Sequence, residues 1–369
     1  MRTLRVDKEK LIKVNKAKGI YLFTKDKKIL DLTAGGTSHC ILGWDNQKIN
    51  DAIKKQLKIF SHINYKFWDD TNVEILSKLL TKNINIKLDQ VYFSGNSGSE
   101  SCEAAMKLSY LTHLAEKKRK KKWFIGRDQS YHGITTDALS ISERPNLEIY
   151  KPLLSKYRTR IKQHHYLKEA RKGETREEYS FRSSQELKKK IEELGPENVS
   201  AFVGETMMGG LIGDVPPEKN YWKYIRKICD DYDVHLILDE CYCGLGSSGK
   251  LHSIEWDGVT PDFLFVAKTL TSGYVPLGAV LTTSKIKNSL FKFNDRIQHG
   301  STFQGHSLGV AAGIATQNIV NNKKMLKEIN SKGIYMRKIL SEELGDHPFF
   351  FDLRGRGLRF SLEYSCKNK

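Results

Sequence analysis

DFLFVAKTLTSGYVPLG, Asp262 to Gly278, starts as a short apolar strand, delivers one amine, Lys268, to the strand's end, and then breaks into Thr, Ser, Gly and Pro. A lysine at the end of an apolar strand loses its proton more easily than a surface lysine. It can then act as a nucleophile and form a Schiff base. Taken alone it reads first as a snorkelling surface residue. The rest of the chain decides between the two readings.

KKWFIGRD, SAFVGET and VHLILDE repeat the pattern of a short apolar run ending in polar residues. Amphipathic stretches such as YWKYIRKICDDY lie between them. That alternation predicts an α/β fold with a mainly parallel sheet. In such sheets ligands bind at the carboxyl ends of the strands, so the residues after each run carry the interest. After VYF (91–93) comes SGNSGSESCEAAMKLSYL, a Gly/Ser-rich turn leading into a helix, whose N-terminus suits a phosphate. It lacks the Gly-Lys-Ser/Thr of a Walker loop. KKWFIGRD leads to Tyr131 and His132, and an aromatic there can stack on a planar ligand. Glu205, Asp239 and Glu240 end two further strands, where a buried carboxylate asks for a cationic partner. A phosphate cradle, a stacking aromatic, a buried Asp and a Schiff-base lysine together are what pyridoxal 5′-phosphate requires of a protein. GLGSSG (244–249) matches a dinucleotide fingerprint, but no helical pattern follows it, and a Rossmann reading is set aside.

The 369 residues suit one large and one small domain. Hydrophobic residues make up 39% and aromatics 10%, enough for a core. No apolar run reaches the roughly 18 residues of a membrane span, and the N-terminus has no signal-peptide stretch, so a cytoplasmic protein is expected. Cys40, Cys102, Cys229, Cys241, Cys243 and Cys366 are scattered, with no CxxC, and read as reduced thiols rather than metal ligands. The 61 basic and 43 acidic residues leave +18. The densest run, EKKRKKKW (116–123), has no interleaved aromatics and is expected to be a solvated helix end, not a nucleic-acid surface. Residues 144–190 are polar and read as a surface excursion, and a charged helical pattern begins near Asn321.

FSGNSGSESCEAAMKLS, SYHG, FVGETMMGG, LILDECYCGLGSSG, AKTLTSGYVPLGAVL, HGSTFQGHSLGVAAG and LRGRGL, with YLFTKDKKILDLTAGG and ILGWDNQKINDAIKKQL before them, resemble in order the motifs of the class III pyridoxal-phosphate-dependent aminotransferases. The resemblance covers nearly the whole chain. It implies the fold type I architecture: a large domain (51–321) around a mainly parallel seven-stranded sheet, an N-terminal segment (1–50) joining the small domain, and a partial C-terminal α+β domain (322–369). It implies that Lys268 holds the cofactor and moves the proton, and that Asp239 pairs with the ring nitrogen. Ser97, Gly98 and Ser99 would hold the phosphate. Tyr131 would stack on the ring with His132 beside it, Glu205 would orient the Asp239 region, and Tyr242 would lie by the phenolic oxygen. Ser301 and Thr302 would reach the phosphate of a partner subunit in a homodimer. No metal, membrane or nucleic acid is implied.

This chain differs from the family where Trp44 replaces a usual His, where Thr269 follows Lys268 in place of Gly, and where Ser247-Ser248-Gly249 replaces Arg-Thr-Gly. Family members also continue past RGRGL into a stretch that usually carries a carboxylate-binding arginine, whereas this sequence stops at LEYSCKNK. The small domain is therefore expected to be incomplete, by truncation, by completion from a second chain, or by loss of part of the substrate site. Arg354, Arg356 and Arg359 belong to the earlier motif and are not assigned that role. The expected activity is transfer of an amino group from an amine, ω-amino acid or other amino acid to pyruvate or 2-oxoglutarate. Gly210 leans toward the ω-amino acid–pyruvate type. An aminomutase or lyase, or a cofactor-binding protein without turnover, are the alternatives.

Overall fold

The computed structural model describes residues 11–145 and 147–365, so Cys366 and the first ten residues lie outside it. Three short strands, β1 (Lys16–Lys18), β2 (Tyr21–Phe23) and β3 (Lys28–Leu30), form a small antiparallel sheet. The main sheet takes β4 (Gln90–Gly95), β5 (Trp123–Arg127), β6 (Arg158–Ile161), β7 (Val199–Glu205), β8 (His235–Asp239), β9 (Phe263–Val266) and β10 (Gly278–Thr282). Its order is β4-β10-β9-β8-β7-β5-β6, with β10 alone running antiparallel to its neighbours. β11 (Phe350–Arg356) and β12 (Arg359–Tyr364) pair as a hairpin after the helix Lys323–Leu344.

The apolar runs are buried on both faces. Ile125, Phe202, Leu236, Leu238, Leu264 and Val266 pack on one side, and Phe124, Ala201, Val203, Ile237, Phe263 and Phe265 on the other. This double burial explains why these strands read as continuous hydrophobic runs and not as alternating ones. The helix Gly98–Ala115 covers the second face with Ala104, Ala105 and Leu108. GLGSSG forms turns, with Gly246 and Gly249 at positive φ, and opens no helix.

Two expectations are corrected. Residues 144–190 are no mere surface excursion: they supply β6 and the helix Arg176–Leu194, which buries Tyr179, Leu187 and Ile191. β6 is the edge strand, RTRI, with one buried residue, so its sequence carries no apolar signal. The basic run is not wholly solvated either. Lys118 bridges Glu116 and Asp233, and Lys121 is 4% exposed. The Lys121 ammonium donates to the carbonyls of Pro196, Val199, Tyr232 and Asp233 at 2.7–3.5 Å, tying the ends of β7 and β8 together. Beneath it His113 and His235 stack at 4.0 Å, with Nε2 of His113 on the Ser200 carbonyl.

Lys121→Met strands those carbonyls and is expected to cost roughly 2–3 kcal/mol in urea denaturation. Burial holds the His113 imidazole down at about 4, whereas unfolded it titrates near pH 6.5. Between those values the unfolded chain takes a proton that the folded chain refuses. His113's contribution is therefore intact above about pH 6.5 and is lost as the pH falls toward 4. Between pH 7 and pH 5 the wild type should lose roughly 1–2 kcal/mol more than His113→Gln.

Candidate active site

A cavity of about 720 Å³ opens at the carboxyl ends of β7, β8 and β9. Ser97, Gly98 and Ser99 reach it from the N-terminus of the helix that follows β4. Tyr131 and His132 follow β5, Glu205 ends β7, and Asp239 ends β8 with Tyr242 close behind. Lys268 stands after β9. Nine of the eleven residues predicted from sequence thus line one cavity. Ser301 and Thr302 do not. They are exposed, their carbonyls accepting from Asn64 and, for Thr302, facing His62 Nε2 at 3.0 Å.

Parallel register sets Glu205 beside Asp239. Both are buried, at 8% and 6% exposure, so each needs donors. Asp239 Oδ2 accepts from His132 Nδ1 at 2.9 Å, and Oδ1 accepts from the Cys241 N–H at 2.8 Å. The Asp239 bond fixes the His132 proton on Nδ1 and leaves its Nε2 unpartnered among the described residues. Glu205 takes the Tyr131 N–H at 2.9 Å and the Gly209 N–H at 2.8 Å. Burial pushes the Glu205 carboxyl up, Asp239 adds to that, and His132 and the two N–H groups pull against it. Beneath the pair, the buried Arg127 guanidinium donates to the Glu205 carbonyl and lies 5.3 Å from the Trp222 ring centre. Glu240, next in the chain, turns away from the cavity. It accepts from Thr206, Ser253 and Ile254, and burial pushes its carboxyl up to about 7.

The Lys268 side chain is aimed by its backbone. Its φ is +44°, a left-handed conformation that costs a non-glycine residue about 1–2 kcal/mol. Its Nζ lies 5.4 Å from the centre of the Tyr242 ring, and the Arg359 guanidinium lies 4.1 Å from the same centre. The Ser97–Ser99 turn is equally constrained. The N–H groups of Gly98 and Ser99 have no acceptor among the described residues, as the first turn of a helix requires. A Cβ on Gly98 would sit 2.8 Å from Cys241 Sγ, and one on Gly133 2.5 Å from Ser99 Oγ. Free N–H donors, a buried carboxylate and one amine around an apolar cavity suit a phosphorylated pyridine aldehyde.

The family model for class III aminotransferases matches residues 4–369. The chain belongs to the class III aminotransferases. Members of this family depend on pyridoxal phosphate and exchange amino groups between an amino donor and a keto acid, and this chain is such an enzyme. An aminotransferase of Gibberella zeae is 35% identical over 349 residues, which cover 93% of this chain and 68% of that protein. Gamma aminobutyrate transaminase 3 of Solanum lycopersicum is 31% identical, over 97% of this chain and 69% of that one. The omega transaminase of Pseudomonas jessenii in complex with PMP superposes with a TM-score of 0.90 at 28% identity, covering 96% of this chain and 78% of that one.

The sequence reading missed one wall of the aminotransferase cavity. Gly36, Thr37, Ser38 and His39 line it from the loop after β3. Ser272 Oγ accepts from the Leu42 N–H at 3.0 Å, and Tyr274 hydroxyl donates to the Gly43 carbonyl at 2.8 Å. The signal was the double glycine of TAGGTSH, where Gly35 and Gly36 both have φ near +90°.

Gly133→Ala must displace Ser99, and should cost about 1–3 kcal/mol in chemical denaturation and weaken cofactor retention. Gly210→Ala faces open space at negative φ and should change stability by no more than about 0.5 kcal/mol.

Proposed function

We propose that the enzyme moves an amino group from an amine or ω-amino acid to a 2-oxo acid, with Lys268 and Asp239 as its catalytic residues. The observation that carries this reading is the convergence of Lys268, Asp239 and the Ser97–Ser99 turn, from three separate strand ends, on one cavity. When bound, the cofactor supplies the carbonyl carbon that takes the amine and the ring that accepts the electrons of the substrate carbanion.

The chain's own residues do the rest. The N–H groups of Gly98 and Ser99 and the hydroxyls of Ser97 and Ser99 would hold the phosphate. Asp239 would hold a proton on the pyridine nitrogen, and His132 keeps that carboxylate aimed. Tyr131 would cover one ring face. Glu205 sets its main chain by accepting from the Tyr131 N–H. Lys268 Nζ would anchor the cofactor carbon and then carry the proton at the substrate carbon.

A homodimer completes this reading. Ser301 and Thr302, exposed beside the exposed Phe67, Trp68 and Phe303, would reach the phosphate of a second copy. A cytoplasmic site of action is supported by the buried, unpaired thiols of Cys40, Cys102, Cys229, Cys241 and Cys243. No described helix is long and apolar enough to cross a membrane.

The test is visible absorption of the purified chain with pyridoxal phosphate, before and after a panel of amino donors. The wild type should gain a yellow band that bleaches with a donor. Lys268→Ala should lose the band. Asp239→Asn should keep it and bleach on the order of 10²–10⁴-fold more slowly. A band unaffected by Lys268→Ala would refute the assignment of that lysine.

A further inference from the structure

We propose that His39 is a residue that reads the substrate's carboxylate; the inference rests on the transamination reading above. His39 stands in the cavity wall contributed by the loop after β3. Its imidazole fills a slot that only glycine permits. A Cβ on Gly35 would lie 2.5 Å from Nε2, and a Cβ on Gly273 would lie 2.1 Å from Cδ2. Both glycines have positive φ, +88° and +76°. The ring is therefore gripped between the β3 loop and the loop that follows Lys268. Nδ1 is engaged by Thr37 Oγ1 at 3.0 Å. Trp44 meets the ring edge-on at 6.2 Å, and Asp31 holds the Trp44 indole and the Gly35 N–H in place.

Elimination points to the same residue. Among the ionisable side chains lining the cavity, His132 gives its Nδ1 proton to Asp239, so its unpartnered Nε2 is no donor, Glu205 is taken by two N–H groups, and burial keeps the Cys241 thiol neutral. Tyr131 and Tyr242 each lie against a guanidinium, those of Arg144 and Arg359. Lys268 is committed to the cofactor. His39 Nε2 has no hydrogen-bond partner among the described residues and is not sealed from solvent.

The described arginines of the C-terminal hairpin do not line the cavity. Arg354 pairs with Asp352 and Glu363, and Arg356 makes a two-pronged pair with Asp257. Arg359 sits behind Tyr242 and donates to the Ser38 carbonyl at 3.0 Å. In the tautomer we infer, the Thr37 hydroxyl donates to Nδ1 and the proton sits on Nε2, where it serves as a donor fixed in position. A carboxylate on an ω-amino acid or a 2-oxo acid is the acceptor that this donor fits. His39 is thus a specificity-determining residue, with no part in the proton transfer at the reacting carbon.

The experiment uses the cofactor-loaded enzyme and two unreactive probes of equal size, butanoate and butanamide, with binding measured by calorimetry. Asparagine in place of His39 keeps an acceptor for the Thr37 hydroxyl near the Nδ1 position and loses the donor at Nε2, whereas the glutamine amide N–H reaches the Nε2 position. His39→Asn should weaken butanoate binding about 10- to 100-fold and change butanamide binding less than about twofold. His39→Gln should recover most of the loss. Equal losses for both probes, no loss for butanoate, or a wild type that does not prefer butanoate would each overturn the assignment. Retention of the yellow band in both variants checks that the site is folded. Failure of amino donors to bleach the wild-type band would count against transamination itself, independently of the binding result.

Discussion

Two carboxylates buried side by side are the constraint around which this active site is organised. Parallel pairing of β7 and β8 puts Glu205 and Asp239 at the same level, nearly out of water. Such a pair is tolerated only when every oxygen has a donor and something nearby bears positive charge. Glu205 is satisfied by main-chain N–H groups, so its charge is spent on shaping the turns after β5 and β7. Asp239 is satisfied by one N–H and by His132, which leaves it the natural counter-charge for a cation bound in the cavity. The buried Arg127 donates to the Glu205 carbonyl at the same end of the sheet and does not line the cavity.

Around this anionic floor the backbone is unusually left-handed. Ala34, Ser38, Lys268 and Ser272 adopt positive φ although none is glycine, and Gly35, Gly36 and Gly273 adopt it beside them. These residues belong to two loops that interlock, and each loop holds the other in a conformation it would not keep alone. The strain lies where side chains must be aimed, and the sheet beneath, with its two apolar faces, is what can bear it.

Strand ends were the legible part of the sequence. Lys268, Asp239, Glu205 and Tyr131 follow apolar runs that a doubly covered sheet makes conspicuous, and the Ser97–Ser99 turn announces itself by its small residues. What stayed hidden depends on contact between distant segments. His39 is an ordinary histidine in TAGGTSHC until Gly273 is seen to make room for it. Lys121 looks like one more charge in a basic run, because nothing in that run says that four carbonyls converge on it. β6 is polar because an edge strand has little to bury. The double glycine was the one local sign of the missing wall, and its meaning required knowing what it packs against.

The stitching of the β3 loop to Ser272 and Tyr274 also sets an order of assembly. These bonds join residues about 230 positions apart in sequence. At roughly 5–20 residues per second of synthesis, the early loop waits on the order of ten to fifty seconds for its partner to exist. Closing so long a loop is entropically late in any folding route. The wall that carries His39 is therefore among the last parts of the molecule to be built, and the cavity cannot enclose a ligand until the sheet between those two segments has formed.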